Sequence, residues 1–150
     1  MNWAGWVLWS YIAVVSVPLV VIDVREHRLP NKIVVPGLCL ALMSGAVVLV
    51  ASAGRAWWPL VFGAMYFIAM LILSVRGGLG MGDVKLAGVL GVAAGFLGLE
   101  GSVASVALAF VLGGAVAGAR WLAKRRENLA FGPFMLAGFW VAAATSLISS

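Results

Sequence analysis

Carboxylates are scarce in this chain, which makes their positions informative: only five of its 150 residues are Asp or Glu. Glu26 and Glu127 stand among bases in polar stretches, and Glu100 stands in a short turn between apolar runs; all three suit solvated charges. Asp23 and Asp83 differ. Each abuts a long apolar run, Asp23 at the end of the first and Asp83 at the start of the fourth. An ionisable group at the edge of hydrocarbon is costly and marks a candidate site. Two carboxylates that meet cannot both ionise cheaply, so one keeps a proton at neutral pH. Such a pair can hydrolyse an amide: the ionised member takes a proton from water, the protonated member polarises the carbonyl, and a proton passes to the leaving amine. The alternatives are structural, with Asp83 as a helix N-cap and Asp23 as a helix-end residue paired with Arg25 or Arg28.

The residues around both aspartates bear on that choice. Asp23 opens Asp23-Val24-Arg25-Glu26-His27-Arg28-Leu29-Pro30-Asn31; Asp83 closes Gly80-Met81-Gly82-Asp83 and precedes Val84-Lys85-Leu86. Glycines before an aspartate let a substrate backbone approach closely, because they carry no side chain. Lys85 either tunes the pair electrostatically or snorkels to headgroups. His27 is the sole histidine and has no nucleophile placed for it, so it reads as a polar loop residue beside the site. Gly78, Gly80 and Gly82 lack the Gly-Lys-Ser/Thr that a phosphate loop needs. Cys39 is the only cysteine, which excludes a disulfide scaffold and a two-thiol redox motif and leaves it as a small apolar filler.

The elements that must position these residues follow from composition. The chain is 64% hydrophobic and 10% charged, far from the roughly one-quarter charged residues of a soluble domain. Apolar runs near residues 3–22, 33–53, 57–75, 84–99, 103–119 and 130–148 predict an all-α integral membrane protein with six transmembrane helices in one domain over 1–150. Gly88, Gly91, Gly95 and Gly98, with Gly114 and Gly118, have the small-residue spacing that allows close helix packing. The seven tryptophans fall mostly near span ends and read as interfacial anchors. The first run has no preceding Lys or Arg and reads as a retained helix, not a cleaved signal. The links at 54–56 and 100–102 are tight, whereas those at 23–32, 76–83 and 120–129 are longer and hold most of the charge that makes the net +5. By the positive-inside rule the long links are cytoplasmic and both termini extracytoplasmic. Lys124-Arg125-Arg126 then serves as an orientation signal against anionic lipid; no nucleic-acid partner is expected. A proton- or cation-coupled transporter using the same aspartates is the competing function, although carrier sites usually lie near the bilayer midplane.

Three ordered segments carry a resemblance over essentially the whole chain: Asp23 to Arg28-Leu29-Pro30-Asn31, Gly80-Met81-Gly82-Asp83-Val84-Lys85-Leu86, and Ala130-Phe131-Gly132-Pro133-Phe134. Together they resemble the prepilin peptidases, or type IV leader peptidases, membrane aspartic proteases with a Gly-x-Gly-Asp motif. The resemblance implies that Asp23 and Asp83 are the catalytic pair, with Gly80, Gly82, Lys85, Arg28, Pro30, Asn31, Gly132 and Pro133 as supporting motif residues. It implies a prepilin-like precursor as partner, cut after a glycine at the cytoplasmic face of the inner membrane. Larger members carry a cysteine-bearing insertion and also methylate the new N-terminus. Without that insertion, the expectation is peptidase activity alone, with no metal and no S-adenosylmethionine or other cofactor.

Overall fold

The computed structural model describes residues 3–76, 80–122 and 130–148, without the side chains of Arg120 and Trp121. Gly78, the basic run Lys124-Arg125-Arg126 and Glu127 lie outside the described residues. Six helices follow one another: α1 (Trp3–Glu26), α2 (Asn31–Ala51), α3 (Trp58–Val75), α4 (Met81–Gly95), α5 (Gly98–Leu122) and α6 (Gly132–Ile148). Four of them, α1, α2, α3 and the Gly98–Ala119 part of α5, are long and apolar enough to cross a membrane. Their outward surfaces are apolar: Val14, Val50, Ile72 and Val111 are all exposed. Water would penalise such a surface, whereas lipid solvates it.

α4 is the axle of the fold. It packs against all five other helices, and from Val84 to Gly95 every residue except Lys85 is buried. A helix enclosed by helices needs apolar residues on every side, and small ones where backbones approach. A side chain on Gly91 would lie 2.8 Å from the Gly63 Cα, and one on Gly95 would overlap Pro59, so α3 and α4 pack backbone to backbone. Gly88 likewise faces Leu38 and Phe67. The remaining glycines of that pattern depart from expectation. Gly114 and Gly118 face open space; it is Gly113 whose missing side chain leaves room for the Phe131 ring. Gly98 adopts φ +79 with nothing nearby and makes the turn into α5, which therefore begins earlier than 103 and places Glu100 in a helix's first turn, not in a link.

Tryptophans also divide. Trp3, Trp6 and Trp57 are exposed at helix starts, as anchors are. Trp9 is buried instead, because its indole N–H donates to the Ala93 carbonyl at 3.1 Å and ties α1 to α4. Trp140 donates to Ser16 Oγ at 3.1 Å, joining α6 to α1. Cys39 is exposed on the outer surface of α2 and fills no core gap.

Candidate active site

The site grows from how α1 ends. His27 takes the left-handed conformation, φ 50, and its N–H donates to the Asp23 carbonyl at 2.9 Å, closing the last turn. The chain then reverses through Arg28 and Leu29 to Pro30, whose carbonyl accepts from the Ile33 and Val34 amides at 3.0 and 3.1 Å and starts α2. Asp23 thus sits one turn inside the end of α1, buried, rather than in the link after it.

Asp83 arrives from the other direction. Gly80 is extended at the N-cap position, and α4 begins at Met81, so Asp83 lies within the first turn and is itself no N-cap. The N-cap residue has no side chain to cap with; instead the Asp83 carboxyl, in the first turn, reaches back to the Gly80 backbone. Its carboxyl is buried, and its Oδ1 has no hydrogen-bond partner.

Both aspartates line one cavity of about 360 Å³, together with His27, Arg28, Asn31, Gly80 and Lys85. The two carboxylates interact electrostatically across it. Lys85 Nζ donates to Asn31 Oδ1 at 2.9 Å and links α4 to the start of α2 at the cavity rim. Pro30 does not line the cavity; it launches α2.

α6 supplies a contact that the sequence did not reveal. The Gly132 amide, at the helix start, donates to Asp23 Oδ2 at 3.0 Å. A side chain at Gly132 would lie 2.6 Å from that oxygen, so only glycine brings the amide this close. Pro133 occupies the first turn, where its lack of an N–H costs nothing. Phe131 anchors this helix start against α5 through Gly113 and Phe110.

Gly82 also lines the cavity, and the side that a Cβ would occupy is taken by Leu29, whose Cβ would stand 2.6 Å from an added side chain. Gly80 does leave its side open to the cavity, where an added side chain would meet only Asp83 Oδ2 at 3.8 Å. Leu29 was missed because an isolated leucine in a polar link gives no signal of its contacts. It is buried between the starts of α4 and α6, touching Gly82 and Gly132.

Comparison with known proteins adds the decisive observation: residues 8–118 match the model of the type IV leader peptidase family. The chain belongs to that family. It is 32% identical over 128 residues to a prepilin leader peptidase/N-methyltransferase of Stutzerimonas stutzeri, covering 81% of this chain and 43% of that protein. A protein of the same name from Burkholderia pseudomallei is 36% identical over 126 residues, covering 78% of this chain and 39% of the relative. A third, from Xanthomonas campestris pv. campestris, is 30% identical over 138 residues, covering 80% and 43%. The chain therefore spans less than half the length of these type IV leader peptidase relatives. No solved structure matches it.

Proposed function

We infer that the chain is a membrane aspartic endopeptidase that removes the leader of prepilin-like precursors, cutting after a glycine at the cytoplasmic face of the inner membrane. One observation carries the reading: Asp23 and Asp83, distant in sequence, are both buried and line one cavity, Asp23 near the end of α1 and Asp83 at the start of α4. Family membership supplies the substrate class. The relatives' names join a peptidase to an N-methyltransferase, and the aspartate pair accounts for the first activity alone.

The chemistry follows from a pair that shares a proton. One carboxylate takes a proton from a water molecule as its oxygen attacks the scissile carbonyl carbon. The protonated partner donates to the carbonyl oxygen, giving a neutral gem-diol. The C–N bond then breaks: the carboxyl that received the water's proton passes it to the amine, and a gem-diol hydroxyl returns a proton to its partner. The products are an acid and an amine, and the pair ends with the one proton it began with.

A second cavity suits the precursor's hydrophobic helix. It measures about 260 Å³ and is lined by Leu38, Leu42, Ala64, Phe67, Gly88 and Val92, among others. Asn31, Leu38 and Leu42 recur along one face of α2, and Lys85, Gly88 and Val92 along one face of α4. The groove therefore continues the same two helix faces that border the catalytic cavity, and Gly88 to Val92 lie about 7–14 Å along α4 from Asp83. A precursor with its polar leader at the rim can lay its apolar helix there. Orientation follows from charge: Arg25, Arg28, Lys32, Arg76 and Lys85 cluster at or near the aspartate end, while Arg55 lies in the opposite link. The placement of both acids at helix ends gives a midplane carrier no support.

The test is to incubate the protein, reconstituted in lipid vesicles, with a prepilin-like precursor and to weigh the products. Two fragments divided after the glycine are expected. An intact precursor, with the protein folded and inserted, would contradict the reading.

A further inference from the structure

Asp23 and Asp83 share a cavity but not an environment. Asp23 Oδ2 accepts the Gly132 amide at 3.0 Å, at the start of α6, where the unpaired amides of a helix favour negative charge. Asp83 also accepts one backbone hydrogen bond, from Gly80, but its buried Oδ1 lacks any donor, and that orphaned oxygen is what separates the two carboxyls. Among the described residues, one other buried side-chain atom lacks a partner, the Tyr66 hydroxyl on α3, and it interacts electrostatically with Asp83. A buried carboxylate oxygen without a donor is costly when charged and far less so when protonated. The other titratable side chains lining the cavity, His27 and Arg28 after the end of α1 and Lys85 from α4, belong to both carboxylates' surroundings. α6 adds none among the described residues, α2 contributes the neutral Asn31, and α3 carries the Tyr66 hydroxyl, which does not line the cavity.

We propose that Gly132 is a positioning residue that makes Asp23 the ionised, water-activating member of the pair and leaves Asp83 as the member that carries the proton. The assignment rests on the peptidase reading and goes beyond it by giving each carboxylate its own step. Asp23 accepts the water's proton, and Asp83 donates to the scissile carbonyl oxygen.

The test reads pH dependence rather than rate alone. In Gly132→Ala the added side chain forces Asp23 off the amide, so its carboxylate needs a higher pH to form. Loss of a hydrogen bond to a charged group corresponds to about one to two pH units. The acidic limb of the kcat–pH profile therefore moves up by about that amount, kcat measured on that limb falls about tenfold or more, and KM for the precursor is unchanged. Asp23→Glu displaces the same carboxylate without altering α6 and moves the acidic limb in the same direction, which keeps the test open should Gly132→Ala not fold. If the alkaline limb moves and the acidic limb stays, the roles are reversed and the proposal is overturned. If neither limb moves in either folded variant, Gly132 sets no protonation and the proposal also fails. Full cleavage by Asp23→Asn or Asp83→Asn would instead sink the peptidase reading itself, so the two failures are distinguishable.

Discussion

Gly82 and Gly132 use the same missing atom for different ends. At Gly82 the space admits Leu29; at Gly132 it admits a carboxylate oxygen to a backbone amide. Gly82→Ala is accordingly a packing lesion. It should lower stability by about 1–3 kcal/mol, as overfilled sites do, read by thermal unfolding in detergent. Gly80→Ala faces the cavity instead, and should raise KM while leaving the unfolding temperature where it is. The opposite pattern at the two glycines would refute this division. Sequence made the two aspartates legible as a candidate pair, because charge beside apolar runs is rare, and motif resemblance marked Gly132. The Gly132–Asp23 bond itself was not legible: it joins residues 109 positions apart, and a motif names a position without its partner.

At the scale of elements, the six apolar runs were legible because lipid demands long uniform stretches, and the helices fall where those runs lie. Their ends were less so. The fourth helix stops at Gly95 rather than 99, since Leu97 and Phe96 turn back onto Ala94 and Ala93 carbonyls and Gly98 takes a positive φ. Close packing was read from glycine spacing, which fits α4 but fails for Gly114 and Gly118, because spacing does not reveal which face has a neighbour. Leu29 joins the starts of α4 and α6, so Leu29→Ala removes a wedge between the elements that carry Asp83 and Gly132. Deleting a buried leucine costs about 2–5 kcal/mol, and cleavage should fall together with the unfolding temperature. The groove between α2, α3 and α4 gives a separate prediction. Ala64→Trp fills it from an exposed position away from the aspartates, and should raise KM for a full-length precursor severalfold while sparing cleavage of a short peptide that lacks the hydrophobic helix. Equal effects on both substrates would remove the groove from the account.

For the whole molecule, enclosure of α4 by five helices sets the aspartates at one end of an apolar body. The proposed orientation rests on the charges that cluster there. Cys39 is the only cysteine, so single cysteines can be placed in a Cys39→Ser background. Lys32→Cys and Arg76→Cys should react with an impermeant thiol reagent from the cytoplasmic side and Arg55→Cys from the opposite side. Labelling in the reverse sense would overturn the orientation. The central claim is that Asp23 and Asp83 together cut the precursor, and its most direct measurement is the cleavage rate of Asp23→Asn and Asp83→Asn in properly inserted protein. Each single substitution should reduce cleavage to background, since neither carboxyl can perform both proton transfers. Near-wild-type cleavage by either variant would contradict the account.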